Sequence, residues 1–296
     1  MKKVGTCRLF FRENLRILES VLERMFALTE IKLIASDLDH TLLDEAGHLP
    51  PNFYDTIRAV HDAGMHFVAA SGRPLYTLKP MFAPVADVVS LVAENGAVVV
   101  RDGEMVYAQF IPKADYVRLT NYTYAKKLGE PILCALDTAY IAKSAEQYRD
   151  YLGQFFAKLE VVDDLTQVDA QVAKYSVYFP GGETYDIFEP DYATPFKDDF
   201  HVTIGGDYFL DMMHADVDKG HALTELGKLI DVTPDEMVTF GDNLNDTEML
   251  TIAGHSFVMQ AGQTELDKVA DERIGSNSDY AVQSKINEIL AKGGQL

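Results

Sequence analysis

The sequence predicts an α/β fold, in which an α+β cap domain is inserted into a doubly wound, Rossmann-like parallel sheet core. Three observations lead to this prediction. Short apolar segments alternate with helical stretches near both ends of the chain, each apolar segment runs directly into a polar cluster, and the middle of the chain is patterned differently. Sheets of this kind bind ligands beyond the carboxyl ends of their strands, where those polar clusters stand.

The composition argues against several classes of protein. The chain has 296 residues, of which 47% are hydrophobic and 24% charged, as in a globular protein with a large core. Its formal net charge of −20 argues against binding to nucleic acid or to an anionic membrane. No apolar run is long enough to span a bilayer. The two cysteines, Cys7 and Cys134, fit neither a disulfide framework nor a metal site, so a cytoplasmic location is expected.

Residues 1–30 differ from the rest of the chain, because basic residues outnumber acidic ones there. Apolar residues recur at steps of three and four, which predicts an amphipathic helix; they are Phe11, Leu15, Leu18, Leu22 and Met25. Such a helix could dock on its own domain, lie on a membrane surface or mediate self-association. An upstream start codon, with Met25 as the working start, is a further interpretation. We favour the docked helix or the upstream start.

Strands and helices alternate from residue 31 onward. Apolar strands are predicted at residues 31–36, 66–70, 88–93 and 237–240, and amphipathic helices at 53–63 and 222–230. We therefore assign residues 31–111 and 200–296 to the two parts of the core domain.

The middle of the chain, residues 112–199, is predicted to form the inserted α+β cap domain. A hairpin leads into it, with strands at 97–100 and 105–110 on either side of the turn sequence Arg-Asp-Gly-Glu. Helices are predicted at 114–128 and 146–159, and a strand at 174–179. An insertion of this kind in a doubly wound domain suggests a lid over the ligand site.

Acidic residues stand at the ends of two predicted core strands. Residues 37–41 (Asp-Leu-Asp-His-Thr) follow the first strand, and alternate residues of an extended segment point the same way, so Asp37 and Asp39 could serve one site. Such carboxylates can bind Mg²⁺, attack as a nucleophile or move a proton. For this pair alone, an acidic turn that caps a helix is the better explanation. Residues 241–246 (Gly-Asp-Asn-Leu-Asn-Asp) hold more acids and amides than a turn needs.

Two further clusters would provide contacts for an anion. Ser71 and Gly72 end the second strand and can form an oxyanion-binding turn, and Arg73 follows them. Lys219 stands just before the helix at 222–230 and would neutralise charge on a phosphoryl group. Each cluster alone is better explained as an ordinary turn or a solvated helix start. Together with Mg²⁺, the cations Arg73 and Lys219 would let a chain of charge −20 accept an anionic substrate.

Motifs of other enzyme classes are absent from the sequence. The chain has no Gly-x-x-x-x-Gly-Lys phosphate loop, no Gly-x-Gly-x-x-Gly fingerprint and no Gly-x-Ser-x-Gly elbow. Nucleotide-driven kinases, dehydrogenases and serine hydrolases therefore lose their main support.

With its four clusters in this order, the sequence resembles the haloacid dehalogenase-like (HAD) hydrolases, specifically Cof-type phosphatases with a type IIB cap. Residues 37–41 match the first motif of the family, Ser71 the second, Lys219 the third and residues 241–246 the fourth. The long gap between the second and third motifs is where this subfamily inserts its cap, and residues 94–97 (Glu-Asn-Gly-Ala) match its usual segment after the second motif. The resemblance covers residue 31 to the C-terminus. His40 departs from it, because it replaces the glycine that is customary in the first motif.

The resemblance implies a role for each matched residue. Asp37 would be the nucleophile that forms an aspartyl-phosphate, and Asp39 would protonate the leaving alcohol and then activate water. Mg²⁺ would be held by the Asp37 carboxylate, the Asp39 backbone carbonyl and the Asp242 carboxylate. Lys219 would neutralise Asp37 and the phosphoryl group, and Asp246 would steady Lys219 or the metal waters. The residues implied in substrate binding are Thr41, Ser71, Gly72, Arg73, Asn95 and Asn245.

The sequence therefore predicts an Mg²⁺-dependent phosphatase that hydrolyses small phosphomonoesters, such as a sugar phosphate or a phosphorylated cofactor. A phosphotransferase or sugar phosphomutase would use the same aspartyl-phosphate and is the first alternative. A non-catalytic sensor of a phosphate ligand is the second, although a sensor has no need of a proton-transfer acid. The expected partner is a small phosphate ester, with no nucleic acid and no membrane span.

Overall fold

A computed structural model describes residues 30–296 of the chain. The amphipathic helix predicted for residues 1–30, and its suggested part in self-association, lie outside the described residues apart from Glu30. Crossing a bilayer would need a longer and more apolar helix than any found in residues 30–296.

The strands are β1 (Leu33–Ser36), β2 (His66–Ala70), β3 (Val89–Ala93), β4 (Val98–Arg101), β5 (Glu104–Ala108), β6 (Glu130–Ala135), β7 (Ala139–Ala142), β8 (Leu159–Val162), β9 (Val172–Tyr178), β10 (Phe200–Gly206), β11 (Phe209–His214), β12 (Met237–Gly241), β13 (His255–Val258) and β14 (Glu272–Arg273). The α-helices are α1 (Phe53–Asp62), α2 (Leu75–Phe82), α3 (Lys113–Lys126), α4 (Arg149–Leu152), α5 (Thr184–Ile187), α6 (Thr194–Phe196), α7 (Lys219–Ile230), α8 (Thr247–Ile252) and α9 (Ala281–Ala291).

These strands form two sheets, of which the first is the core sheet. Within residues 30–296 it has eight strands, in the order β14-β13-β12-β1-β2-β3-β4-β5. In this order, the six strands from β14 to β3 run parallel to one another, whereas β4 and β5 continue the sheet as antiparallel neighbours. The predicted hairpin of β4 and β5 turns at Asp102 and Gly103, which both have the positive φ that a tight hairpin turn requires.

Helices cover both faces of the core sheet, which explains why its central strands are apolar at successive positions. Ile34 of β1 belongs to a buried cluster with Ile57 of α1 and Ile286 of α9. Leu33, the preceding residue, belongs to a second buried cluster with Leu223 of α7. Neighbouring residues of one strand thus pack against helices on opposite faces, and the predicted doubly wound parallel core is confirmed.

The second sheet is built from the middle of the chain. Among the described residues it has six strands, in the order β10-β11-β9-β6-β7-β8, and it is antiparallel except where β7 meets β8. Helix α3 covers one face, where its Tyr116 shares a buried cluster with Tyr175 and Val177 of β9. Because side chains alternate along a strand, Lys174 and Ser176 of β9 face the opposite way.

Two predictions for the middle of the chain differ from the structure. The helix predicted at 146–159 is a 3₁₀ helix (Lys143–Tyr148) followed by the short α4, which ends before Gly153, and Leu159 already begins β8 and pairs with Ala139. The boundary predicted at residue 199 cuts the second sheet, since β10 and β11 pair with each other and β11 pairs with β9. We propose instead that the inserted domain ends after β11.

Candidate active site

The polar clusters meet at the carboxyl edge of the core sheet. Strand β1 lies between β12 and β2, and β2 pairs with β3 on its other side. Asp37 follows β1, Ser71 follows β2 and Asp242 follows β12. The parallel direction of these strands therefore brings segments from distant parts of the sequence to one place.

Lys219 links Asp37 to Asp246 at this edge. Its Nζ donates to Asp37 Oδ1 and to Asp246 Oδ1, each at 2.6 Å, and the Lys219 side chain is 0% exposed. Burial alone would lower the pKa of Lys219, but the Asp246 and Asp37 carboxylates raise it above its ordinary value, so the amine stays charged. Asp246 Oδ2 also accepts from the backbone N–H groups of Asp242 and Asn243. Asp246 is thus committed to holding Lys219 and the turn after β12.

Asp37, Asp242 and Asp246 form a group of carboxylates that suits a metal ion, because their oxygens lie within 4.8 Å of one another. Burial and the Asp246 carboxylate raise the pKa of Asp242 to about 7, even though Thr41 Oγ1 donates to Asp242 Oδ1 at 2.8 Å. Burial also raises the pKa of Asp37 well above its ordinary range, despite the neighbouring Lys219. One ammonium group therefore does not neutralise the three acids. Since both oxygens of Asp246 already accept hydrogen bonds, the carboxylates of Asp37 and Asp242 remain to bind a cation. Carboxylate oxygens are hard ligands, which Mg²⁺ prefers.

Asp39 is held by Arg73. The guanidinium donates through Nε to Asp39 Oδ2 at 2.8 Å and through Nη2 to Oδ1, the bidentate geometry that these two groups favour. Arg73, which was predicted to contact the substrate, thus also contacts Asp39, the predicted acid.

His40, the residue after Asp39, has a φ of 59°, in the left-handed region that favours glycine. This conformation explains why glycine suits the position.

The predicted substrate-binding residues fall into two groups. One group lines a cavity together with Asp37, Asp39 and Asp242, and it consists of Gly72, Arg73, Asn95 and Asn245. The other group, Ser71 and Thr41, is buried beside the cavity, as is Lys219. Ser71 Oγ accepts from the backbone N–H of Arg73 at 3.1 Å, so it orders the turn after β2.

This cavity, of about 460 Å³, lies between the carboxyl edge and the second sheet. Its wall on the second sheet carries the polar side chains Lys174, Ser176 and Asp211 and the aromatic side chains Phe155 and Phe209. These five residues are not among those predicted from the sequence. The sequence does contain a pattern that could have indicated them, because polar residues occupy alternate positions of β9 and a single carboxylate interrupts the apolar β11. A strand pattern alone does not show which cavity such residues face.

Lys174 connects the two sheets. Its Nζ donates to the backbone oxygen of Gly72 at 2.8 Å, and it lies 3.1 Å from Asp211 Oδ2 and 3.3 Å from Glu94 Oε2. Burial alone would lower the pKa of Lys174, but the Asp211 and Glu94 carboxylates raise it. Burial raises the pKa of Glu94 from its ordinary 4.5 to about 7, even beside Lys174. Near neutral pH, Glu94 is therefore only partly ionised, and Asp211 is the nearer of the two carboxylates to Lys174.

Asn95 forms a second connection between the sheets. Its Nδ2 donates to Asp211 Oδ2 at 3.1 Å, and its Oδ1 accepts from Asn245 Nδ2 at 3.0 Å. A chain of two hydrogen bonds therefore runs from the turn after β12 to the wall formed by the second sheet.

Comparison with known proteins places this site in a family. The model of the haloacid dehalogenase-like hydrolase family matches residues 34–286. A curated relative, the 5-amino-6-(5-phospho-D-ribitylamino)uracil phosphatase of Escherichia coli (strain K12), is 29% identical over 266 residues, which are 88% of this chain and 96% of the relative. A solved structure from Streptococcus mutans is 26% identical, with a TM-score of 0.82 over 88% of this chain and 99% of the other. A HAD subclass IIB sugar phosphatase, 18% identical, shares the fold with a TM-score of 0.73 over 87% of this chain and 98% of its own.

These similarities agree with the resemblance carried by the four motifs. The family model spans most of the chain, and the relatives are matched over nearly their whole length. The predicted family and the prediction of an enzyme are therefore confirmed, and the fold is shared with a subclass IIB phosphatase. The chain belongs to the haloacid dehalogenase-like hydrolase family.

Proposed function

We propose that this hydrolase is an Mg²⁺-dependent phosphatase, which acts on small phosphomonoesters through an aspartyl-phosphate at Asp37. The observation that supports this most strongly is the contact of Asp37 with the buried Lys219, beside a cavity that Asp39 also lines. A nucleophilic carboxylate, a proton-transfer acid and a cation that offsets phosphoryl charge are the groups that the reaction needs.

In the first step, a carboxylate oxygen of Asp37 would attack phosphorus while the bond from phosphorus to the ester oxygen breaks. Asp39, in its acid form, would donate a proton to the leaving alkoxide. Both Asp39 oxygens accept from Arg73, so Arg73 positions this carboxylate, and the contact has to open before Asp39 can carry the proton.

In the second step, the oxygen of a water molecule would attack the phosphorus of the aspartyl-phosphate. The Asp39 carboxylate would take a proton from that water, and the bond from phosphorus to Asp37 would break. Inorganic phosphate leaves, and the Asp37 carboxylate is restored. Gly72 and Asn245 line the cavity where phosphate oxygens would be held.

Mg²⁺ would be held by the Asp37 carboxylate, the Asp39 backbone carbonyl and the Asp242 carboxylate. When bound, it stabilises negative charge on phosphoryl oxygens. Thr41 orients Asp242 through its hydroxyl group, and Asp246 holds the turn that carries Asp242.

The cavity supports a small substrate. A volume of about 460 Å³ accommodates a metabolite rather than a phosphoprotein segment. The rings of Phe155 and Phe209, whose centroids are 5.0 Å apart, suit contact with a planar ring of the leaving group. Given the name of the Escherichia coli relative, we propose 5-amino-6-(5-phospho-D-ribitylamino)uracil as the first substrate to test.

We also propose that the enzyme works in the cytoplasm. Cys134 is a buried free thiol, as is usual in a reducing compartment. Self-association through residues 1–30 remains a prediction.

The test measures phosphate release from a panel of small phosphomonoesters, with saturating Mg²⁺ and with a chelator. We expect release only with the metal, and we expect Asp37→Asn to lower it by at least about a thousandfold. Asp55→Asn, an exposed change of the same chemistry on α1, serves as the matched control and should leave release unchanged. Thermal melting should show that Mg²⁺ stabilises the wild type more than Asp242→Asn.

Wild-type release no greater than that of Asp37→Asn across the panel, from folded protein, would contradict the proposal. Isomerised sugar phosphate in place of free phosphate would instead identify a phosphomutase.

A further inference from the structure

The wall formed by the second sheet carries polar groups that the proposed catalytic steps do not use. Lys174 and Ser176 on β9 and Asp211 on β11 are buried, and all three line the cavity that Asp37 and Asp39 also line. A buried charge must be paired to be tolerated. Only a group whose hydrogen-bonding positions are not all taken by other residues of the protein can contact a ligand.

Lys174 is already held by the protein. Its Nζ donates to the backbone oxygen of Gly72 at 2.8 Å, and its charge is paired with Asp211 Oδ2 at 3.1 Å and with Glu94 Oε2 at 3.3 Å. Lys174 therefore holds the wall against the core sheet and is not available to a second anionic group of a substrate.

Asp211 keeps acceptor capacity. Its Oδ1 accepts from Ser176 Oγ at 2.5 Å, and its Oδ2 accepts from Asn95 Nδ2 at 3.1 Å and faces Lys174. A carboxylate offers about four acceptor positions, so one remains beyond these three contacts. Because Asp211 lines the cavity, a donor on a bound ligand can reach this carboxylate from the cavity.

The position of Asp211 is tied to the phosphate end of the site. Asn95 donates to Asp211 and accepts from Asn245, which lies in the turn after β12. A substrate whose phosphate lies beside Asn245 would therefore present its leaving group to Asp211 in a fixed register.

We infer that Asp211 is a specificity-determining residue, which accepts a hydrogen bond from a hydroxyl or N–H group on the leaving group and rejects leaving groups that carry a carboxylate there. This inference rests on the proposed phosphatase function. A donor gains a charge-assisted hydrogen bond at Asp211, whereas a carboxylate meets a like charge in a partly enclosed cavity. The cavity lining has two Arg or Lys side chains among the described residues, Arg73 and Lys174, and each is already paired with a carboxylate.

The test compares alditol phosphates of three, four and five carbons with the matching aldonic acid phosphates, in which a terminal carboxylate replaces the terminal hydroxymethyl group. We measure kcat/KM by phosphate release for the wild type, Asp211→Asn and Ser176→Ala. The matched control is Asp207→Asn, which changes an exposed carboxylate in the turn between β10 and β11. 4-Nitrophenyl phosphate, which has no donor on its leaving group, gives the baseline, and thermal melting checks that each variant is folded.

We expect the wild type to prefer the alditol phosphate by at least about tenfold at one chain length, since a buried polar group discriminates strongly against a mismatched partner. Asp211→Asn should reduce that preference about tenfold, whereas Asp207→Asn should leave both the preference and the activity on 4-nitrophenyl phosphate unchanged. Ser176→Ala should reduce it less, because it loosens Asp211 without removing the charge. If Asp211→Asn does not fold, Ser176→Ala alone decides, and an unchanged preference in that variant contradicts the inference.

An unchanged preference in a folded Asp211→Asn variant, at every chain length, would overturn the inference. If the wild type hydrolyses no ester, the proposed function fails, and the inference is decided by binding instead. In that case, greater thermal stabilisation by the alditol phosphate in the wild type but not in Asp211→Asn supports it, and equal stabilisation in the wild type contradicts it.

Discussion

Lys219 is the buried cation around which the candidate site is organised. It has no exposed surface and contacts one carboxylate from the segment after β1 and one from the turn after β12. A buried charge of this kind is tolerated because its partners are also charged and equally close. The same contacts that neutralise Lys219 therefore fix the position of the proposed nucleophile, Asp37.

Lys219→Met should both destabilise the protein and abolish phosphate release. The variant leaves Asp37 and Asp246 buried without their cation, and removal of one partner of a buried ion pair costs about 3–5 kcal/mol. Urea unfolding at neutral pH measures the loss. Lys228→Met on the same helix is the control, because Lys228 is exposed and its pairing with Glu225 contributes about 0–1 kcal/mol. Equal unfolding free energies for the two variants would contradict the structural role of Lys219.

Glu94 should make the stability of the protein depend on pH. Burial raises its pKa from 4.5 to about 7, so between these values the folded chain binds a proton that the unfolded chain has lost. The free energy of unfolding should therefore fall as pH rises through this range, and it should be fully recovered below about pH 4.5. Glu94→Gln removes this dependence because its amide does not ionise.

Measured by urea unfolding, the stability of Glu94→Gln relative to the wild type should increase by about 2–3 kcal/mol from about pH 5 to about pH 8. Glu104→Gln, on the exposed strand β5, should show no such trend. A difference between Glu94→Gln and the wild type that stays constant with pH would show that Lys174 keeps Glu94 ionised throughout.

At the scale of elements, the 3₁₀ turn Glu94–Gly96 fixes where helix α7 begins. Gly96 has a φ of +107°, and a Cβ at this position would lie 2.2 Å from the backbone oxygen of Asp218. The turn after β3 thus packs directly on the residue before Lys219. Glycine allows this approach for two reasons, its backbone conformation and its lack of a side chain.

Gly96→Ala should displace the start of α7 and lower kcat, because Lys219 moves with it. Gly103→Ala is a matched control, since Gly103 also has a positive φ, +78°, but a Cβ there would have nothing within 4 Å. Both variants carry the backbone strain of about 1–3 kcal/mol. The additional loss of stability and of phosphate release in Gly96→Ala reports the contact alone, and equal behaviour of the two variants would argue against it.

The sequence was informative about elements wherever local pattern and tertiary packing agree. The apolar segments at 66–70 and 88–93 lie close to β2 and β3 because helices bury both faces of the core sheet. The helix predicted at 146–159 was wrong beyond Leu152, because Gly153 ends α4 and Leu159 to Val162 then pair with β7, although apolar residues continue at helical spacing.

The sequence likewise identified some residues of the candidate site and not others. Asp37 and Asp242 were identifiable because they stand in polar clusters next to predicted strands. Lys219 was identifiable because it precedes a predicted helix, and all three residues match family motifs. Lys174 and Asp211 were not identifiable, because they stand inside strands rather than in polar clusters at the ends of strands. Their importance depends on which face of β9 and β11 turns toward the cavity, and only the assembled sheets determine that.

At the scale of the whole molecule, the net charge of −20 opposes the approach of an anionic phosphate ester. Raising the ionic strength from about 20 mM to about 200 mM, with Mg²⁺ kept saturating, should therefore increase kcat/KM a few-fold because salt screens the repulsion. The value of kcat should stay nearly constant, since the bound substrate no longer feels the distant charges. Steady-state kinetics at several salt concentrations measure both, and a fall in kcat/KM would show that local cations dominate the approach.

The order of strands in the core sheet also bears on how the enzyme emerges from the ribosome. Strand β1 pairs with β12, which is translated only after all the strands of the second sheet described above. The inserted sheet can therefore fold on the nascent chain while β1 still lacks a neighbour on one side. Asp37 is among the first site residues to be made, yet Lys219, Asp242 and Asp246 reach it only when most of the chain has been synthesised. A ribosome that stalls before β12 would release a chain that lacks Asp242 and Asp246 and therefore has no capacity for catalysis.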